Sequence, residues 1–241
     1  MNSKIAFVIT TLLMLHLLLL GCNSQNLEQS SASLNSDENT TFKTNIELQP
    51  RGKGIVETVA NPAYEGTDSI KLEIPEGYSM GDAARISVSL EDTALNDAAA
   101  ISYWCFIDKY TPLNPDGTYW VPYITFEIDT DGKPGCDTWV IGGKGSLIQE
   151  PGIWFELSLE EEWLFHVPTT VADYPSPFPI TNMGTLEQVR SAIGTDGKTT
   201  LGDCPVTGIR LAIGNWGPGG PIGPVIVYVD NLVCDKETLL K

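Results

Sequence analysis

Between Ser69 and Val233 the chain alternates apolar and polar residues at period two, in short runs cut off by Gly, Pro, Asn and Asp. Each run buries one side of an extended strand, and many such runs together require sheets that face one another. The segment Ser69–Ile74 alternates and stops at Pro75-Glu-Gly77, and residues 84–90 place Ile86, Val88 and Leu90 on one side. Residues 99–108 are almost continuously apolar, as in a strand buried on both faces. Residues 119–129 read as one long strand entered through the Asn114-Pro-Asp-Gly117 turn, with Trp120, Ile124 and Phe126 turned to the core. Residues 138–141 and 154–157 are shorter strands. One helix stands apart: Thr185 with Gln188 three residues on forms a capping box, Leu186, Val189, Arg190 and Ile193 make its face, and Gly194 stops it. The expected fold is all-β, a two-sheet antiparallel β-sandwich with one short helix.

The N-terminus follows different rules. Lys4 precedes an apolar run from Ile5 to Leu20, and the small residue Gly21 comes before Cys22. That run is 16 residues, shorter than the roughly 20 that a membrane-spanning helix needs. The layout is that of an export signal over residues 1–21. Leu19-Leu20-Gly21-Cys22 resembles the lipobox of bacterial-type lipoproteins, which implies cleavage before Cys22 and lipidation of its sulfur. Residues 22–44 are rich in Ser, Asn, Gln, Glu and Thr and cannot bury enough surface to order themselves, so a lipidated, disordered tether is expected. It would hold a domain spanning 45–241 on the order of 25 Å from the membrane. Asn39-Thr40-Thr41 fits a glycosylation sequon. The expected location is extracytoplasmic, with the membrane reached only through the lipid anchor.

Net charge bounds the partners. The chain carries −17, and −18 once Lys4 leaves with the signal. Such a surface repels phosphate backbones and argues against nucleic acid, while it suits cations.

Apart from Cys22, Cys105, Cys136, Cys204 and Cys234 remain, with three possible connectivities in an oxidising compartment and no CxxC pair for zinc. Residues 206–213 and 225–233 read as strands around a Gly/Pro-rich stretch. Paired as a hairpin closing at Ile213 and Val225, they would set Cys204 opposite Cys234 and favour a disulfide there. Cys105 with Cys136 then follows by elimination; free buried thiols are the alternative.

Gly66-Thr-Asp-Ser-Ile-Lys-Leu72, Ala83-Ala-Arg-Ile-Ser-Val88, Ile101-Ser-Tyr-Trp104 and Val227-Tyr-Val-Asp-Asn-Leu-Val233 together resemble jelly-roll carbohydrate-binding domains of the concanavalin-like or galactose-binding-like type, over roughly residues 50–235. The resemblance implies a jelly roll that binds a glycan or polysaccharide and holds structural calcium. In those domains the last strand gives an Asp to the calcium together with an acidic residue of the first strand; Asp230 and Glu57 are the matching positions. An ion pair of Asp230 with Arg210 is the competing reading. Some relatives are glycosidases or lyases, so fold alone does not decide function.

Three local patterns carry candidate chemistry. His166 is the one histidine beyond the signal and reads as a packing residue. Glu127-Ile-Asp129-Thr-Asp131-Gly132 resembles the Glu-x-Asp-x-x-Glu strand of laminarinase-like glycosidases, but Gly132 stands where the second Glu is required, and retention needs both carboxyls. A lyase site built on Tyr123 with Arg85 or Arg210 has no identifiable motif. Asp129, Asp131 and Asp137 surround a Gly-rich turn that can wrap a hard cation with oxygen ligands. Alternation places Tyr119, Tyr123, Thr125 and Glu127 on one mixed aromatic and polar face, suited to the C–H faces and hydroxyls of a sugar. Trp216, in the Gly/Pro-rich loop, could flank such a site. Glycan binding without catalysis is the leading expectation; a structural or adhesion protein of the envelope, and a glycosidase or polysaccharide lyase on the same scaffold, are the alternatives.

Overall fold

The computed structural model of the chain describes residues 45–241 apart from 99–100, 115, 134–136, 144–145, 160–163, 169, 172–173, 176, 179–183, 215–222, 235–236 and 239–241. The signal, Cys22, the tether with its sequon, Cys136 and Trp216 lie outside the described residues. In chain order the strands begin with β1 (Ile46–Arg51), β2 (Ile55–Val59), β3 (Ser69–Ile74), β4 (Ala83–Ala94), β5 (Ile101–Ile107), β6 (Tyr119–Trp120), β7 (Tyr123–Ile128) and β8 (Thr138–Gly143). They continue with β9 (Ser146–Leu147), β10 (Trp154–Ser158), β11 (Leu164–His166), β12 (Thr170–Val171), β13 (Tyr174–Pro175), β14 (Pro205–Gly214), β15 (Val225–Cys234) and β16 (Glu237–Thr238). A helix, α1 (Leu186–Arg190), and a 3-10 turn (Leu201–Asp203) precede β14.

Two antiparallel sheets result. Sheet A runs β1-β4-β14-β7-β8-β11, and sheet B runs β10-β5-β15-β3-β2 with β16 on β15. Along the chain the strands of the two sheets alternate, with changes of sheet at β1 to β2, β3 to β4, β4 to β5, β5 to β7, β8 to β10, β10 to β11 and β14 to β15, so both sheets are built from distant pieces of sequence. The expected all-β sandwich is therefore what forms. Its core is one apolar cluster. Ile86, Val88, Ile124, Phe126, Ile128, Ile209, Leu211 and Ile213 come from sheet A, facing Ile70, Leu72, Ile74, Tyr103, Ile107, Val227 and Val229 from sheet B. Burying each such side chain contributes about 1.5–3 kcal/mol. Tyr103 is fully buried, and its hydroxyl donates to the Pro122 carbonyl at 2.8 Å, which offsets the cost of its one polar atom.

The period-two segments land where alternation puts them: β3, β4, β8, β10, β14 and β15 each contain the run expected there. The capping box also forms, with Gln188 N–H donating to Thr185 Oγ1 (3.3 Å) and Thr185 N–H donating to Gln188 Oε1 (2.9 Å). Leu186 and Val189 are buried, whereas Ile193 lies beyond the helix end and is 63% exposed.

Three expectations are corrected. β14 and β15 do not form a hairpin: β14 pairs with β4 and β7 in sheet A, and β15 pairs with β3 and β5 in sheet B. The two strands lie in different sheets, so Cys204 and Cys234 are not cross-strand neighbours. The Cys204–Cys234 and Cys105–Cys136 disulfides do not form, since Cys204 and Cys105 are free, buried thiols. Burial pushes the Cys105 thiol far up and that of Cys204 up to about 11, so neither is a reactive thiolate near neutral pH. The strand expected over 119–129 is broken at Val121-Pro122. Tyr119 belongs to β6, which pairs with β9, and packs against the core instead of lining the face of β7. Proline has no N–H to give to a ladder, which accounts for the break.

Candidate functional site

β7 runs beside β14, so the outward residues of sheet A fall into rows across its strands. One row is Gln49, Arg85, Ala212 and Tyr123. The next is Glu47, Ser87, Arg210, Thr125, Ile141 and His166. Beyond it stand Ser89, Gly208, Glu127 and Trp139. Tyr123, Thr125 and Glu127 thus share the outer face as alternation expects, with Tyr119 removed from the group. Thr125 is 4% exposed and acts as floor, while Tyr123 and Glu127 stay partly open.

Side-chain bonds tie the rows together. Arg210 pairs with Glu127, and its Nε approaches Ser87 Oγ at 3.4 Å. Ser87 Oγ donates to Gln49 Oε1 (3.0 Å), and Gln49 Nε2 donates to Glu47 Oε2 (2.7 Å). A polar line therefore crosses four strands, β1-β4-β14-β7. Gly208 makes room for it: a Cβ there would lie 3.0 Å from Glu127 Oε2 and 3.2 Å from the Val88 carbonyl. Burial pushes the Tyr123 hydroxyl up, outweighing the pull of Arg85, Arg210 and Arg51 in the opposite direction. Tyr123 is thus a neutral hydroxyl at physiological pH, able to donate as well as accept. His166 is half-buried, and burial lowers its pKa, in keeping with a packing histidine.

At the end of β7 the structure brings Asp129, Asp131 and Asp137 together, one carboxylate oxygen of each lying within 4.8 Å of the others. Backbone N–H groups build this turn. Asp131 and Gly132 donate to Asp129 Oδ1 (3.0 and 2.8 Å), and Thr130 and Asp131 donate to Asp137 Oδ2 (2.8 and 3.2 Å). Asp129 Oδ2 and Asp137 Oδ1 accept none of these bonds, so the donor set fits a hard cation. Lys133 pairs with Asp131 and holds its carboxyl below the ordinary value, so it would have to yield.

Asp230 and Glu57, the pair offered by the resemblance as calcium ligands, each have other partners in the structure. Asp230 is 1% exposed on the outer side of β15. Its Oδ2 accepts from the Tyr64 and Glu65 N–H groups (2.8 and 3.2 Å) and its Oδ1 from Asn231 N–H (2.7 Å). The buried charge is satisfied by the backbone of the 60–68 loop, and Arg210, its other expected partner, is engaged with Glu127 on the opposite sheet. Glu57 pairs with Lys71 at 3.0 Å.

The loop held by Asp230 uncovers a feature that the apolar run 99–108 had hidden. On the outer face of sheet B, Tyr64 stacks on Trp104 with centroids 3.7 Å apart and planes at 12°. Trp154 stands against Tyr64 (5.9 Å) and Phe106 (5.5 Å), and Phe106 meets Tyr228 edge-on (5.6 Å). The run is buried inward by Tyr103 and Cys105 and covered outward by rings, so period two was present but both of its phases were apolar.

No protein-family model matches this chain, and no curated protein matches it. Among solved structures it is similar to a protein from Bacteroides thetaiotaomicron proposed to bind sugar, at 8% identity and a TM-score of 0.39, over 77% of this chain and 83% of that one. It is also similar to the binding domain of botulinum neurotoxin serotype D/C, at 15% identity and a TM-score of 0.33, over 86% of this chain and 48% of the other. The chain thus spans about half the length of the toxin domain. At such values neither likeness bears on ligand or mechanism.

Proposed function

We propose that this chain is an extracytoplasmic lipoprotein, tethered through Cys22, whose sandwich binds a carbohydrate and does not cleave it. The observation that carries the reading is the outer face of sheet A. There the partly open Tyr123 ring stands beside a hydrogen-bonded line of carboxylate, guanidinium, hydroxyl and amide groups fixed on strands rather than loops. Sugar hydroxyls both donate and accept, and pyranose C–H faces stack on rings, so an aromatic group beside alternating donors and acceptors complements them. Strand-borne groups lose little entropy on binding. Two features favour binding over cleavage. Glu127 is committed to Arg210, and Gly132 occupies the place of the second carboxylate that hydrolysis on such a strand needs. Tyr123, with its raised pKa, is a poor general base for elimination. A structural calcium ion in the Asp129/Asp131/Asp137 turn belongs to the same proposal.

A glycan array run beside an activity screen on the same polysaccharides tests it. Binding is expected, lost on Tyr123→Ala with the melting curve preserved, and no product should appear. Turnover that vanishes in Glu127→Gln would assign the chain to the enzymes instead. For the anchor, Cys22→Ser should release the protein from membranes or stall its processing; a processed mutant that stays on the membrane would end the lipoprotein reading.

A further inference from the structure

The row beyond Thr125 on the outer face of sheet A holds Ser89, Gly208, Glu127 and Trp139, and the sugar contact at Tyr123 leaves its tryptophan unused. Trp139 points outward, since Thr138 and Val140 on either side of it are both fully buried. It is half-buried, and it makes no ring contact or side-chain hydrogen bond with any described residue. Trp104 and Trp154 on sheet B, by contrast, both lie against other rings. β11 ends at His166 opposite Ile141, one row short of Trp139, so this tryptophan has a paired strand on one side only. On that side it stands opposite Glu127, which puts the two Cβ atoms about 5 Å apart.

Glu127 is held in a fixed direction. Arg210 takes its Oε1, and Oε2 lies over Gly208, where a Cβ would stand 3.0 Å from it. Oε2 accepts no hydrogen bond from any described residue, and it is not closed off from solvent. A carboxylate oxygen accepts but does not donate, so its complement is a hydroxyl or an N–H. The indole beside it offers the face on which the C–H side of a pyranose stacks. This end of the sheet is otherwise acidic, with Asp129, Asp131 and Asp137 gathered in the turn after β7. A carboxylate or sulfate on the sugar would meet repulsion there, whereas an uncharged sugar would meet only an acceptor for its hydroxyls.

Tyr123 stands on the adjacent strand, four residues before Glu127, which places it about 14 Å from Trp139 by strand geometry. A pyranose is much the same size as a phenol ring, so no single sugar reaches both. We infer that Trp139 is a second stacking platform, with Glu127 Oε2 accepting from a hydroxyl of the sugar that lies on it. The ligand is then an uncharged, extended stretch of polysaccharide running from Trp139 to Tyr123, not a free monosaccharide and not an acidic glycan. This deepens the glycan reading above and rests on it.

Affinity electrophoresis of the full-length protein tests the ligand class, with glucomannan, xyloglucan, galactan, dextran or polygalacturonate in the gel. Retardation by at least one of the uncharged polymers is expected, and none by polygalacturonate. Calorimetric titration with oligosaccharides of the retarding polymer then tests the second platform. Affinity should rise by about tenfold or more from the disaccharide to the hexasaccharide, the size of one added stacking contact. Trp139→Leu keeps an apolar side chain but has no ring, and should bring the hexasaccharide down to the affinity of the disaccharide. Trp139→Phe should restore most of the gain, which a packing role alone would not require. On the unaltered protein, the hexasaccharide should protect Trp139 from oxidation by N-bromosuccinimide, read by mass mapping, so the test does not depend on how either variant folds. A hexasaccharide that binds no tighter than the disaccharide, or leaves Trp139 as open to oxidation as before, overturns the inference while leaving glycan binding at Tyr123 intact. Polygalacturonate retained at least as strongly as the uncharged polymers, or no retardation by any of those, overturns it too. If the glycan array is also blank, the glycan reading falls with it.

Discussion

The two outer faces of the sandwich solve opposite problems with similar materials. Sheet B covers itself: Trp104 lies under Tyr64, Phe106 is wedged between Trp154 and Tyr228, and a buried Asp230 locks the loop that carries Tyr64. Its aromatic surface is largely used up in contacts within the chain. Sheet A does the reverse. Its ring, Tyr123, stands beside a small Ala212, and its charges are aligned by bonds that run along the surface rather than down into it. Aromatic content alone would rank sheet B as the binding face. What distinguishes a platform for a ligand from a cover for the fold is whether the rings already have partners. That criterion favours sheet A.

The strongest test of this contrast is Asp230→Ala. Three backbone N–H groups at Tyr64, Glu65 and Asn231 would lose a charged acceptor, at about 1–3 kcal/mol for each donor left unpaired. A total on the order of 4 kcal/mol is expected, read as a shift of the urea midpoint at unchanged slope. Trp104→Ala should also destabilise, by less because the ring is only partly buried. Both variants should keep their glycan affinity when assayed well below their midpoints. Tyr123→Ala should behave the other way round, with near-native stability and lost binding. If Trp104→Ala loses the ligand and Tyr123→Ala does not, the roles of the two faces are exchanged.

How far the sequence foretells this division depends on what alternation can and cannot encode. Strands such as β3 and β4 alternate visibly because one side meets the core and the other meets water. The same rule brought Tyr123, Thr125 and Glu127 to one face and the three carboxylates to one turn. The 101–107 strand defeated it, because rings on the outer side made both phases apolar and Tyr64 arrives from a loop some forty residues earlier. Partner choice was harder still. Residues 206–213 and 225–233 are neighbours in sequence, but the stretch between them serves a crossing of the sandwich as well as it serves a turn. Only the positions of β4, β7, β3 and β5 decide which. The Cys204–Cys234 pairing fell with the hairpin. An Asp inside the apolar 225–233 run has to find a partner for its charge, but backbone donors from a distant loop leave no trace in the sequence around it.

A smaller effect tests the end of sheet A. If the Asp129/Asp131/Asp137 turn binds calcium only in the folded state, calcium at a hundred times its dissociation constant stabilises by about 2.7 kcal/mol. For a domain of this size, chelation should then lower the melting temperature by roughly 5–10 °C, and calcium should restore it. Asp129→Asn should remove that response. Asp230→Ala, though less stable overall, should retain it, because its carboxylate is bound to backbone N–H groups rather than to an ion. A melting curve that ignores chelator would take calcium out of the proposal and leave the acidic turn held by its own backbone bonds and Lys133.

The smallest expected effect is acid sensitivity arising on the sheet A face. His166 sits in β11 beside Ile141, and burial disfavours its charged form, so its pKa in the folded chain lies below the ordinary value near 6.5. In the folded state it gives up its proton more readily than in the unfolded state. Its contribution is therefore complete above the ordinary histidine range. It declines as pH falls through about 6.5 toward the depressed folded value, and is constant below that. Asp82, whose carboxyl is held low by N–H groups of Ser79 and Lys53 against the opposing effect of burial, adds a separate loss at more acid pH, as its carboxylate takes up a proton. On the sheet B face the shifted groups are Tyr64, Lys71 and Tyr228, all moved upward, so they titrate on the alkaline side. Melting curves between about pH 8 and 5.5 should thus fall on the acid side, and His166→Gln should flatten that part of the profile while leaving the alkaline limb unchanged. An acid slope that persists in His166→Gln would show that the loss arises elsewhere, and that burial on this face leaves the imidazole as easily protonated as it is in the unfolded chain.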